Sequence, residues 1–130
     1  MMFARTHPII ANEHYHTLEL QSRVASANPH GLISIMYEEL LRALDLLMLS
    51  HKRGNEISGS AHHGKALSII IALDSSIDFN NGGDLAPVLQ RVYHSALRTL
   101  SDAASQNDVA GVQEIRTAIS DIAYAWNALS

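Results

Sequence analysis

The chain contains no cysteine, which excludes disulfides, thiolate metal sites and a cysteine nucleophile. Absence of cysteine fits a reducing compartment. Only 3 prolines and 7 glycines punctuate 130 residues, so long stretches are free to remain helical. Basic residues are in the minority, 9 Lys and Arg against 13 Asp and Glu. No electrostatic pull therefore draws the chain to nucleic acid, and no basic amphipathic helix favours an anionic membrane surface. The uncharged apolar run around SIIIAL, like the others in the chain, falls far short of the roughly 20 residues that span a bilayer. The opening MMFARTHPIIANEHYH has too short an apolar stretch for a secretory signal, with His7, Pro8 and His14 interrupting or flanking it. These absences predict a soluble, cytoplasmic protein with no membrane insertion and no nucleic-acid partner.

What is present is a series of helix-sized apolar segments. Asn28-Pro29 is a helix start, because Asn caps well and proline at the first helical position lacks only an N–H that would be orphaned anyway. The helix is expected from about Pro29 to about His51, with Gly54 as a left-handed cap. Ile33, Met36, Leu40, Ala43, Leu44 and Leu47 form its apolar stripe. Ile35, Leu41, Leu46, Met48 and Leu49 fall beside or outside that stripe. This is a surplus of apolar surface of the kind that marks a docking site for another chain. Gly54–Gly64 reads as a loop. A second helix is expected from Ala61 or Lys65 to about Phe79, its core line Leu67, Ile70, Leu73 or Asp74, and Ile77. Its three consecutive isoleucines would also suit a strand, but no second strand exists to pair with it.

Asn80-Asn81-Gly82-Gly83 is the clearest turn. Asp84 then caps a third helix, with Val88, Leu89, Val92, Tyr93, Ala96, Leu97 and Leu100 at three- and four-residue spacing. Asn107-Asp108 ends that helix and caps a fourth, whose stripe is Val112, Ile115, Ala118, Ile119, Ile122, Ala123, Trp126 and Leu129. Short connections between long helices force antiparallel neighbours. The expected fold is all-α, an antiparallel up-down four-helix bundle over residues 28–130. Residues 1–27 read as a flexible segment with one or two amphipathic turns around Leu18, Leu20 and Val24, which leaves room for a short extra N-terminal helix.

No constellation for chemistry emerges. The 8 histidines do not supply a Glu-x-x-His from each of two facing helices, as a bundle metal site needs, and His14, His16, His62 and His63 fall in expected loop or terminal regions; they read as solvated. Glu38 and Glu39 are consecutive on a helix and diverge by about 100°, so they read as a solvated face rather than an acid–base pair. No nucleophile elbow or phosphate loop is present. The chain is expected to be no enzyme and to hold no metal or cofactor. Tyr93 and Trp126 lie on core stripes, whereas Tyr37 flanks its stripe and suits either the core edge or a docking surface.

Several segments in order resemble the flagellar export chaperone (FliS) family. These are Ala27-Asn28-Pro29, Leu32-Ile33 and Met36-Tyr37-Glu38, then Lys65-Ala66, Ile69-Ile70, Leu73, Ile77-Asp78, Gly82-Gly83 and Val92-Tyr93, and finally the Asn107-Asp108 turn and Ala125-Trp126. The resemblance covers roughly Tyr15 to Leu129, and its specificity lies in the order of these segments rather than in any one. It implies a cytosolic four-helix chaperone that binds the disordered C-terminal segment of flagellin, blocks premature polymerisation and serves the flagellar type III export machinery. In the family an N-terminal tyrosine can cover the client groove. Here Tyr15 lies farther from Pro29 than the family spacing, and Leu18 or Leu20 is an alternative plug. Glu38 stands where the family has Asp. The candidate partner-binding residues are Tyr15, Leu32, Ile35, Met36, Tyr37, Leu46, Ile71 and Tyr93. The competing expectation is a non-enzymatic helical module whose surplus apolar face forms a homodimer.

Overall fold

The computed structural model describes residues 8–129, with side chains from residue 12 onward. Among these residues the protein is all helical: α1 (Pro8–Ser26), α2 (Pro29–Lys52), α3 (Ala61–Ser75), α4 (Leu85–Gln106) and α5 (Ala110–Leu129). Helices α2 to α5 form the expected bundle, each packing on its sequence neighbour, with α5 returning to α2 to close the ring. Helix α1 touches α2 alone. It is a full 19-residue helix rather than the one or two turns that Leu18, Leu20 and Val24 suggested.

Most helix ends follow from local chemistry. The Asn28 side chain accepts the Gly31 N–H at 2.7 Å, with Pro29 at the first turn. Gly54 takes φ +95° after α2, and its N–H bonds the His51 carbonyl at 3.0 Å. α3 stops at Ser75, four residues before Phe79. The Ser76 hydroxyl turns back to the Leu73 carbonyl at 2.8 Å, and Asp78 gathers the amides of Asn80 and Asn81 at 3.0 and 3.1 Å. In that turn a Cβ on Gly82 would sit 2.5 Å from the Asp78 carbonyl oxygen. Asp84 stands at the start of α4, but its side chain makes no capping bond, because its backbone is already helical at φ −71°, ψ −17°. Asp108 does cap α5, accepting the Ala110 N–H at 3.0 Å.

The core runs through Leu40, Ala43, Leu44 and Leu47 of α2, Ala66, Ile70 and Leu73 of α3, Ala96, Leu100 and Ala103 of α4, and Val112, Ile115, Ile119 and Ala123 of α5. Each fully buried Leu or Ile contributes roughly 1.5–3 kcal/mol. The loop before α3 adds Ile57, which is fully buried. Its N–H donates to the Asn107 side-chain oxygen at 3.1 Å, and His51 donates to the Asn107 carbonyl at 3.0 Å. Among the described residues Asn107 is the one non-glycine residue of positive φ, +52°. It therefore ends α4 in a left-handed cap and fastens the far loop to that end.

Among the described residues no helix is long and apolar enough to cross a membrane. Substituting Asn107→Ala is expected to lower stability by about 1–3 kcal/mol, since it strains the left-handed cap and orphans the Ile57 N–H. Asn107→Gly should recover part of that loss by restoring the backbone freedom alone. Urea unfolding of the three proteins checks the order.

Candidate docking surfaces

The expected surplus on α2 divides in three. Ile35 is buried, 7% exposed, on the face of α2 that carries Glu38, Glu39 and Arg42, the partners of α1, so it is not open surface while α1 is in place. Leu41, Leu46 and Met48 are half-buried, and Leu49 is exposed. Met36 is half-buried against the core. Leu32 and Tyr15 are exposed, and Ile71 is 54% exposed on the outer face of α3. Val88, expected on the core stripe of α4, is exposed, as is Leu129 at the end of α5.

Tyr37 and Tyr93 are both 2% exposed. They come from α2 and α4, which lie across the bundle from one another, and their hydroxyls meet at 2.6 Å. Burial pushes both phenols above their ordinary titration range; Tyr93 is raised further by its bond to Tyr37 and by the nearby Asp74 carboxylate. Both therefore stay protonated. One donates to the other, which spends one hydrogen and leaves one. No other hydrogen bond is made by either hydroxyl to the described residues. An unspent buried donor costs about 1–3 kcal/mol.

This pair lines a cavity of about 260 Å³ to which all four bundle helices contribute. Ile33, Leu73, Ile77, Leu89 and Trp126 supply apolar walls, and Asp78, Asn81 and Leu85 reach its mouth. Trp126 is fixed by stacking on His30 at 4.5 Å and by donating its indole N–H to the His30 carbonyl at 3.0 Å. Two of the predicted residues, Tyr37 and Tyr93, thus meet here, but as cavity lining rather than exposed surface. A second cavity, about 340 Å³, lies where α1 approaches the end of α2 and includes Leu46, Leu49, Glu13 and His62. Tyr15, Leu32, Ile35, Met36 and Ile71 line neither.

Helix α1 is held by charge more than by burial: none of its described side chains is buried. Arg23 pairs with Glu38 at 2.7 Å, and Glu13 with Arg42 at 3.0 Å. Exposed pairs of this kind contribute about 0–1 kcal/mol each. The deeper contact is Glu39, which is 7% exposed and not the solvated residue its neighbour suggested. Its carboxylate accepts from His16 of α1 at 3.0 Å and from Lys65 of α3 at 2.9 Å. Burial alone would raise its pKa, but the bonds from His16 and Lys65 outweigh that and hold it below the ordinary 4.5.

Four of the histidines, His16, His51, His63 and His94, are tied by hydrogen bonds rather than solvated. His63 donates to the Leu100 carbonyl at 2.8 Å, and His94 to Asp74 at 3.2 Å, so they join α3 to α4. His62 and His63 lie in α3, and His14 and His16 in α1, rather than in loops. His7 lies outside the described residues. Among the described residues no group of three or more His, Cys, Asp or Glu could hold a metal ion.

A closed four-helix core, exposed apolar side chains around it and one mostly apolar end cavity define a helical binding protein. The family model described as flagellar protein FliS matches residues 11–130, and the chain belongs to that family. It is 31% identical over 117 residues to the flagellar secretion chaperone FliS of Salmonella typhimurium, covering 89% of this chain and 87% of that protein. The flagellar secretion chaperone FliSB of Pseudomonas aeruginosa is 28% identical over 120 residues, covering 92% and 95%. FliS of Vibrio cholerae is 26% identical over 113 residues, covering 87% and 83%.

Because the folded-state pKa of Glu39 is depressed, its contribution is complete above the ordinary carboxylate value and is lost as pH falls through the folded value. Docking of α1 is therefore expected to hold at pH 7 and to weaken below about pH 4.5, and Glu39→Gln should weaken it already at neutral pH. Hydrogen exchange of the α1 amides, read against those of α4 as an internal reference, measures this.

Proposed function

We propose that this protein is a flagellin export chaperone. It binds the disordered C-terminal segment of flagellin in the cytoplasm, keeps it from polymerising early and assists its delivery to the flagellar type III export apparatus. Family membership supports the class of activity. The observation that carries the reading is apolar surface remaining outside an already closed core: Leu32, Leu49, Ile71, Phe79, Leu85 and Val88 are all exposed. A disordered segment becomes an amphipathic helix only where a partner supplies such a surface. Ordering it costs on the order of 2–5 kcal/mol, so the contact must be extensive and apolar.

Helix α1 fits the role of a displaceable cover. Its attachment rests on charged pairs, and it presents Tyr15, Leu18 and Val24 to solvent. A client with more apolar area to bury than α1 has would compete successfully for the same face of α2.

A purified flagellin C-terminal fragment is expected to bind with micromolar or tighter affinity in calorimetry; no heat at those concentrations refutes the reading. Ile71→Asp should weaken binding roughly tenfold while leaving the melting temperature nearly unchanged. Ile35→Asp, by contrast, places a charge on the buried face that α1 covers and should lower the melting temperature as well as weaken binding. Light scattering with and without the fragment separates the chaperone from a homodimer, which would persist when the fragment is bound.

A further inference from the structure

The cavity at the Trp126 end has three properties that together describe an occupant. The first is size. At about 260 Å³ it exceeds a cavity of about 150 Å³ that holds a benzene ring. It falls below the roughly 300–1,000 Å³ of pockets that enclose whole ligands. One large aliphatic or aromatic side chain fits. The second is the phenol pair on its wall. Two hydroxyls 2.6 Å apart share a single hydrogen, and the other is available to an acceptor entering the cavity.

The third property is the mouth. Phe79, Leu85 and Val88 are exposed around the turn and the first part of α4, so apolar surface continues beyond the opening. An occupant can thus extend past a single inserted group. The same stretch carries Asp78 and Asp84, with no Lys, Arg or His anywhere between Lys65 and Arg91; Asp74, in α3, is paired with His94. Amides of Asn80 and Asn81 stabilise the Asp78 carboxylate, which remains charged at neutral pH. The groove between α4 and α5 is larger, about 360 Å³, but Ser95, Ala96, Thr99 and Gly111 give it no comparable signature.

From these we infer that the cavity is an anchor site for the bound client segment, receiving one large apolar side chain whose neighbouring residue is basic, with a carbonyl of the segment accepting the free phenol hydrogen of the Tyr37–Tyr93 pair. The inference rests on the flagellin reading above and adds to it the place and the chemistry of one contact. Acidic residues at the mouth complement the basic neighbour. The fixed phenols give the anchor an orientation that apolar walls alone would not.

Trp126 is the only tryptophan in the chain and lines the cavity, so its emission reports occupancy. The test titrates the full-length protein with a tryptophan-free flagellin C-terminal fragment, following calorimetry and Trp126 fluorescence in parallel. The two signals are expected to saturate together. Leu85→Asp and Asp84→Lys, both at exposed positions, should each weaken binding by about tenfold without lowering the melting temperature. The double variant Tyr37→Phe/Tyr93→Phe should lose about five- to tenfold through the missing donor, and its melting curve confirms folding. Calorimetric binding with unchanged Trp126 emission and full affinity in Leu85→Asp overturns the anchor site and leaves the chaperone reading standing. No binding to the unaltered protein overturns the chaperone reading, and the proposed occupant with it.

Discussion

The bond between Tyr37 and Tyr93 sits where two opposite helices of the ring face each other. Apolar contacts between α2 and α4 would tolerate a slide along the bundle axis, because hydrophobic attraction has no direction. A hydrogen bond of 2.6 Å does not tolerate one. It sets how far the helices approach and at what register, and the bulk of two phenols keeps that end of the bundle from closing as tightly as the Leu40–Leu44–Leu47 interior. Both phenols line the end cavity, and Trp126 closes another wall while tied to the first turn of α2.

Against that rigid ring, α1 is a separate attachment. The ring buries apolar side chains from four helices, and α1 contributes none among its described residues. Its contacts are ionic, and only Glu39 lies deep enough for them to be little screened. A bundle held by burial and a helix held by charge respond to different conditions. Salt and acid are expected to weaken the second more than the first, whose ion pairs Arg116–Asp45 and Lys65–Glu39 add to a buried apolar core. This division suits a protein that must stay folded while part of its surface is covered and uncovered.

Much of the fold was legible because it is written in local chemistry. Asn28-Pro29, Gly54, the Asn80–Gly83 turn and Asn107-Asp108 each act within a few residues, and each marks a helix boundary in the structure. The all-α bundle follows from those boundaries and from apolar spacing. The interior of α2 was less legible. A helical wheel assigns one buried stripe, but α1 covers a further face of α2 through Glu38, Glu39 and Arg42, and Ile35 on that face is buried for that reason. Glu39 was misread by the same logic, since its partners His16 and Lys65 lie 23 and 26 residues away. Ile57 is invisible to periodicity because it sits in a loop. The histidines looked solvated because a bond from an imidazole to a distant carbonyl leaves no local trace.

The sequence by itself determined most of the boundaries of α2, α4 and α5, that the chain is all helical among the described residues, and, through the order of its family-like segments, to which family it belongs. These depend on caps, turns and composition, which act over short range. Only the tertiary structure decided which apolar residues are surface and which are core, that Tyr37 and Tyr93 meet, and that Glu39, bonded to both His16 and Lys65, joins α1 to the ring. Each of these depends on which side chains converge from different helices. The lengths and packing angles of whole helices fix that convergence, and no spacing within one of them encodes it.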